Sequence, residues 1–300
     1  VPLKISIITP TLNQARYLEE TVLSVLGQRY DPLEYIVVDG GSSDATPPIL
    51  KTYEARLAYW VSEKDRGQAH AINKGLERAT GDIVAYLNSD DVYLPGAFAA
   101  VSRHFADNPD CQWLCGDTIM FGAEGLAPSL CVADIPRTAA HCLSWAYTAP
   151  QPGMFWRRKL LSDGFSENWH YCFDHEFYVR LLLAGYRCEH LPMPLAAYRL
   201  HPASKTMAQS ELFDVEFDQI ASIYESRLRG SGRRWCNATL ALRRSVAASR
   251  AGHSEEATRE FMRALIMHPE GIGSRLFWGT LKALLGGRRT GNERPGIKRL

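Results

Sequence analysis

Asn88-Ser89-Asp90-Asp91 follows the apolar run Ile83-Val84-Ala85-Tyr86-Leu87 without a break. Adjacent carboxylates at a strand end can hold Mg²⁺ or Mn²⁺ against a diphosphate. Such sites use one or two protein carboxylates and complete the shell with phosphate oxygens and water. The same four residues equally suit an Asx turn, or a helix cap ahead of Pro95. A second carboxylate, Asp39, closes Val37-Val38 at the Gly40-Gly41 turn. It is placed either to accept from a base N–H or a ribose hydroxyl, or simply to form the turn. Asp44, a few residues on, reads as a helix N-cap. Thr9-Pro10-Thr11-Leu12-Asn13 and Ser62-Glu63-Lys64-Asp65-Arg66-Gly67 end two further apolar runs. Polar ends of this kind, gathered on one rim, suit a ligand with hydroxyls and a divalent cation.

Such a rim needs elements that gather it. Ile5–Ile8, Tyr35–Val38, Tyr59–Val61 and Ile83–Leu87 read as buried strands. Helical patterns lie between them at about 14–28, from Pro47-Pro48, and at 68–78, with Gly81 as a stop. Another helix is expected to start near Pro95. Near-continuous apolar strands alternating with helices predict a mostly parallel sheet covered on both faces. Ligands then bind beyond the carboxyl ends of the strands. The middle of the chain predicts strands at 111–120, 153–156 and 195–200, a loop or weak hairpin at 124–137, and a helix at 175–184 ended by Gly185. From about 209 the spacing is helical throughout, at 209–228, 233–251, 255–267 and 273–285. Residues 288–300 are basic and glycine-containing, with a net charge of +4 from five basic residues against Glu293.

Composition narrows the function. The 300 residues carry 34 Lys and Arg against 33 Asp and Glu, a net charge of +1. That balance argues against nucleic-acid binding through bulk charge. With 46% hydrophobic and 22% charged residues, the chain is expected to be globular. The 7 cysteines are odd in number and include no Cys-x-x-Cys, so they are read as reduced thiols of a cytoplasmic protein. Cys111 and Cys115 lack a Cys/His pair at zinc spacing, and no structural zinc is expected. No signal peptide or membrane-spanning run is recognised. G-x-G-x-x-G and G-x-x-x-x-G-K-[ST] are both absent, which counts against nicotinamide or flavin binding and against P-loop hydrolysis.

Ile7–Asn13, Glu34–Thr46, Glu63–Gly67 with Ala71–Gly75, and Leu87–Asp91 together resemble family 2 glycosyltransferases, over about residues 3–205. The resemblance implies an α/β GT-A fold, Rossmann-like and mostly parallel, with a C-terminal helical extension. It divides the chain into a GT-A domain at 1–207, a helical region at 208–287 and a basic tail at 288–300. The first 120 residues would form the nucleotide-sugar half, and 121–207 the acceptor and catalytic half. It also implies an inverting enzyme that takes a sugar from a nucleotide-diphosphate donor, UDP-sugar foremost. The acceptor would be a glycan or lipid-linked sugar, and the cofactor Mn²⁺ or Mg²⁺. Pro10, Thr11, Asn13, Asp39, Asp65, Asn73, Asn88, Ser89 and Asp91 are the implied donor contacts, with a supporting place behind the metal as the alternative for Asp91. Asp90 and His201 are the implied metal ligands. Asp174, in Phe173-Asp174-His175-Glu176, matches the general base, with an N-cap role as its structural alternative. Two acids of the family pattern are replaced, by Asn88 and Phe173. Glu176 and Arg180 read as an i,i+4 ion pair, and Gln151 and Trp169 as acceptor-side or packing residues. A non-catalytic nucleotide-sugar-binding protein and a nucleotidyltransferase are the competing classes. The C-terminal helices suit packing, a homodimer or peripheral contact with a membrane.

Overall fold

The computed structural model describes residues 2–122, 127–144 and 147–267. The expected helix at 273–285 and the basic tail lie outside the described residues. In chain order the elements are β1 (Ile5–Thr11), α1 (Ala15–Leu26), β2 (Leu33–Asp39), α2 (Thr46–Tyr53), β3 (Tyr59–Ser62), α3 (Gln68–Arg78), β4 (Ile83–Tyr86), β5 (Val92–Tyr93) and α4 (Ala97–Asp107). They continue as β6 (Trp113–Phe121), β7 (Ser129–Cys131), α5 (Ala139–Leu143), β8 (Met154–Arg157), α6 (Phe173–Leu183), β9 (Cys188–Arg199), α7 (Lys205–Ala208), α8 (Ser210–Tyr224), α9 (Gly230–Arg250) and α10 (Ser254–Met267). The chain forms two compact units. One contains the residues up to Arg137 with Tyr147–Phe213, and the other 138–146 with the residues from Asp214 on.

The first unit is built on a 9-stranded sheet in the order β3-β2-β1-β4-β8-β6-β9-β5, with β7 paired to β6. The first four strands are mutually parallel, as their apolar runs predict. The second half departs from a parallel sheet. β8 runs antiparallel to both β4 and β6, and β6 pairs in parallel with β9. The expected strand at 195–200 starts earlier, at Cys188. Pro192 and Pro194 hide that start in the sequence. They are tolerated because the β6–β9 register shifts at Gly116/Asp117/Thr118, a bulge where ladder donors are not required. β1 likewise runs past Ile8 to Thr11, paired with Val37–Asp39. β4 ends its pairing at Ile8–Tyr86, so the missing N–H of Pro10 interrupts no ladder on that side.

Side chains alternate across β1. Ile5 and Ile7 join the core that holds Leu18, Val22 and Val25 of α1 and Phe98, Val101 and Phe105 of α4. Ile8 faces α3, where a Cβ on Gly75 would lie 2.5 Å from its Cγ2. Helix and strand therefore pack at a distance only glycine permits. Beyond β4, the rings of Tyr86, Trp156, Phe165, Phe173 and Phe177 interlock at centroid distances of 4.7–6.4 Å. At the start of the sheet the buried Glu34 ties β1 and β2 to the α3–β4 connection. It accepts from Ser6 Oγ at 2.5 Å, Thr80 N at 2.7 Å and Lys4 Nζ at 2.9 Å. Burial alone would raise its pKa, but these bonds from Ser6, Thr80 and Lys4 outweigh it and hold the carboxyl at about 2.

The second unit is helical. Ala238, Ala241 and Leu242 of α9 pack on Phe261 and Ala264 of α10, and Ser245 Oγ donates to Ala257 O at 2.7 Å. No helix among the described residues is long and apolar enough to cross a membrane.

Candidate functional site

β1 lies between β2 and β4, so the connections leaving β1 and β4 part to opposite sides. A crevice opens at such a switch point beyond the carboxyl ends. Thr11 and Asn88–Asp91 stand on its two lips. The Thr11 hydroxyl is buried and has no hydrogen-bond partner among the described residues. Pro10 is buried beside it and Ser89 opposite, at 5% exposure.

On the β4 lip, successive aspartates take opposite tasks. Asp91 is fully buried and accepts from Arg199 N at 2.8 Å. Burial, and then the charge of Asp90, push its carboxyl well above the ordinary carboxylate range. Asp91 takes the supporting place behind Asp90 that the sequence also allowed: it faces inward and orients the end of β9. Asp90 remains partly exposed, and its Oδ2 lies 3.0 Å from His201 Nε2. His201 is 7% exposed and packs on the Tyr17 ring at 4.6 Å. Its Nδ1 has no hydrogen-bond partner among the described residues. A histidine serving only to pack would have both ring nitrogens satisfied.

The Asp90–His201 pair passes a simple fit test for a cation. Two ligands at right angles, each about 2.1 Å from an octahedral ion, stand about 3 Å apart, which is the observed separation. Carboxylate with imidazole suits Mn²⁺, and carboxylate with water and phosphate oxygens suits Mg²⁺. Asn88 supplies an amide where a further carboxylate would add charge. Its Oδ1 accepts from Gln68 Nε2 at 2.7 Å.

The β1, β2 and β3 ends are stitched into one surface. Asn13, at φ 52°, receives Ser43 N on Oδ1 at 2.9 Å and donates its own N–H to Ser42 Oγ at 2.7 Å. Asp39 is fully buried. It accepts from Ser42 N at 3.0 Å, from the Ser42 hydroxyl, and from Ser62 Oγ at 2.5 Å. The structure thus gives Asp39 the turn-forming task that its sequence position allowed. Asp65 lies against the same turn and accepts from Gly67 N at 2.8 Å. A Cβ on Gly40 would fall 2.5 Å from Asp65 Oδ2, so a bare glycine makes room for that carboxylate. Asp44 takes no N-cap position. It accepts from Ala15 N at 3.0 Å and Thr46 N at 2.9 Å, joining the starts of α1 and α2.

Asn73 has a different partner from the expected one. Its Nδ2 donates to Phe165 O and its Oδ1 accepts from Phe165 N, both at 2.8 Å. Both ends of the amide hold the segment after Gly164. Asp174 stands in the first turn of α6, one residue past Phe173, and accepts from His175 N at 2.7 Å. The N-cap position belongs to Cys172. Burial first, and the nearby Asp174 charge second, raise the Tyr86 and Tyr178 hydroxyls well above the ordinary tyrosine range. Asp174 therefore sits close to both rings, and Tyr86 also feels Asp91. Phe173 faces the aromatic core, 6.0 Å from Tyr86. Gln151 donates to Tyr86 O at 2.8 Å, and its buried Oε1 has no partner among the described residues. Glu176 and Arg180 form the expected ion pair at 2.9 Å. Trp169 is half-buried.

Three residues were not singled out by sequence. Arg199 donates from Nε to Asp90 O at 2.8 Å, reaches Glu20 at 2.6 Å and lies over Tyr17 and Phe121. Lys205 Nζ donates to Gln68 Oε1 at 2.9 Å. Gln68 in turn holds Asn88 at 2.7 Å, which links Lys205 through Gln68 to the turn that follows β4. Arg199 and Lys205 flank His201 in sequence, which is the signal that could have found them.

Comparison with known proteins places the family and the fold. Residues 6–126 match the family model described as Glycosyl transferase family 2. An uncharacterized glycosyltransferase of Mycobacterium tuberculosis is 32% identical over 185 residues, 60% of this chain and 69% of that protein. Two solved structures share the fold. TarS 1-349 of S. aureus in complex with UDP-GlcNAc aligns with a TM-score of 0.61 at 17% identity, over 95% of this chain and 81% of that one. The mannosyltransferase PcManGT of Pyrobaculum calidifontis, in complex with GDP-Man and Mn²⁺, aligns with a TM-score of 0.60 at 21% identity, over 95% and 87%.

Proposed function

The chain belongs to glycosyltransferase family 2, and from that premise we propose that it moves a sugar from a nucleoside-diphosphate donor to an acceptor hydroxyl, with inversion. A UDP-hexose or UDP-N-acetylhexosamine is the donor we favour, and a growing bacterial glycan, free or lipid-linked, the acceptor. The observation that carries this reading is the Asp90–His201 pair, 3.0 Å apart at the tip of β4. β1, which ends in the Thr11 hydroxyl left without a hydrogen-bond partner among the described residues, is the parallel neighbour of β4.

Asp90 and His201 would hold the divalent ion, with Lys205 as a second positive charge close by. The ion, when bound, neutralises the diphosphate. Asp65, in the space left by Gly40, meets the nucleoside, and Asn13 and Asp39 hold the surface it lies on. Thr11 Oγ1 donates to a donor oxygen. Asp174 accepts the proton of the acceptor hydroxyl as its oxygen bonds to the anomeric carbon. The bond from that carbon to the diphosphate oxygen breaks in the same step, and the nucleoside diphosphate leaves. Gln151 Oε1, buried and unpartnered, serves to orient the donor sugar or the acceptor.

The test joins binding to turnover. UDP, GDP and their sugars are screened by thermal shift with and without Mn²⁺, since a ligand that binds only the folded state raises Tm. A nucleotide sugar found this way should be consumed by the wild type. The Asp174→Asn variant should bind it unchanged and transfer nothing. Near-normal turnover by Asp174→Asn would remove Asp174 from the role of base. The replacement of two family acids by Asn88 and Phe173 motivates a second reading, a nucleotide-sugar-binding protein without transfer. Binding with no turnover or hydrolysis across an acceptor panel would favour it.

A further inference from the structure

His104 at the end of α4, Cys111 in the connection to β6 and Glu189 at the start of β9 converge, with ligand atoms all within 4.8 Å of one another. His104 Nε2 lies 3.1 Å from Glu189 Oε2. The Cys111 thiol donates to Trp113 O at 3.7 Å and lies beside the same carboxylate. The three side chains come from three separate segments. Within β6 and β9 the site is level with Trp113, which pairs with Trp156, itself paired with Val84. This is the beginning of β4 and therefore the sheet edge opposite Asp90.

We propose that His104, Cys111 and Glu189 form a zinc site. One thiolate, one imidazole and one carboxylate are the three-ligand set from which Zn²⁺ builds a tetrahedron, with water in the fourth position. A thiolate and a carboxylate also balance the two charges of the ion. Zinc at its usual bond lengths would draw the three atoms to about 3.3–3.7 Å from one another. The 3.1 Å between His104 and Glu189 would open slightly and the wider separations from Cys111 would close; Glu189, whose side chain is 42% exposed, has room to move, while Cys111 is 1% exposed. The exposed carboxylate is also the ion's way in. Burial, followed by Glu189, raises the free Cys111 thiol to about 12, so loading must expel its proton. Arg157, which donates to Cys111 O at 3.3 Å, acts in the opposite direction and favours the thiolate.

Chemistry separates this site from the rim. Asp90 and His201 offer oxygen and nitrogen, which suit Mn²⁺ or Mg²⁺, whereas the sulfur of Cys111 selects zinc. A zinc ion here would clamp α4 and the loop after it to β9, and through β6 hold the antiparallel half of the sheet. The proposal is independent of the donor and acceptor.

The experiment uses the full chain with zinc or cobalt as the only additions. After chelation and reloading, the wild type should retain one equivalent of Zn²⁺ that Cys111→Ser and His104→Ala lose and Asp90→Ala keeps. Co²⁺ should give the intense thiolate-to-metal absorption of a sulfur-bound ion, absent in Cys111→Ser. The cobalt spectrum of the wild type needs no variant, so a Cys111→Ser protein that fails to fold leaves the test intact. Cobalt bound without thiolate absorption, or zinc retained equally by Cys111→Ser, would overturn the assignment. Zinc lost only in Asp90→Ala would place the ion on the rim instead and overturn it too.

Discussion

Gly40→Ala is the most telling perturbation of the proposed nucleotide surface. The Gly40 N–H is held by Thr11 O at 2.9 Å, and the residue has no left-handed φ, so alanine suits its backbone. The cost falls on one neighbour. The new methyl would stand 2.5 Å from Asp65 Oδ2 and 3.1 Å from Cγ, so the carboxylate must retreat by about 1 Å to reach ordinary contact. Its 2.8 Å bond from Gly67 N breaks in the process. A charge-assisted bond of this kind is worth roughly 1.5–3 kcal/mol. If Asp65 meets the nucleoside, losing its position should weaken UDP binding about tenfold to a hundredfold, about 1.4–2.7 kcal/mol. Tm should fall by only a few degrees. Calorimetric titration of UDP into wild type, Gly40→Ala, Asp65→Ala and the double variant measures the coupling. The double variant should bind no worse than Asp65→Ala alone. The reasoning fails if Gly40→Ala binds UDP within twofold of wild type. It also fails if the alanine still costs tenfold when Asp65 is already gone.

Asp90→Ala and His201→Ala should each abolish the Mn²⁺-dependent part of the donor thermal shift; the Tm without ligand should change little for the partly exposed Asp90 and fall further for His201, which is buried against Tyr17. Asp174→Asn should lower kcat at least 10³-fold with unchanged donor affinity, read by single-turnover assay. Glu34→Gln should destabilise the fold by roughly 1–3 kcal/mol in urea unfolding, since an amide cannot replace a carboxylate that accepts from Ser6, Thr80 and Lys4. Its pH dependence has a definite sign. The folded pKa of about 2 lies below the ordinary 4.5, so roughly 3 kcal/mol of stability is present above pH 4.5 and is lost as the pH falls towards 2. Glu34→Gln should flatten that part of the acid unfolding curve.

Much of the first unit was legible because its signals are local. Apolar runs separated by helical spacing located β1–β4 and placed α3 at Gln68–Arg78. The polar residues that end those runs had to share a rim once the strands were parallel. Element identity in the second half was also readable, but pairing was not. Nothing near Met154 states that β8 will run antiparallel between β4 and β6, because strand direction is settled by which edge remains open when the chain returns. The two prolines of β9 became compatible with a strand only through a bulge that its partner supplies.

Residue type alone determined that carboxylates would gather at the carboxyl ends of β2, β3 and β4; tertiary structure decided what each one does. Asp90 and Asp91 are chemically identical neighbours, yet the chain turns one outward to His201 and buries the other against the β9 backbone. Asp39 is absorbed by the hydroxyls of Ser42 and Ser62, while Asp65 occupies the space a glycine leaves. Asn73 lies within a family-like run, but its amide is taken by Phe165. The partners of Asp90, Asp91 and Asn73 are about a hundred residues away in the chain. Composition and periodicity carry information only about near neighbours and burial. The direction of a side chain, and whether its hydrogen-bonding capacity is already used, follow from contacts that exist only when the chain has closed on itself.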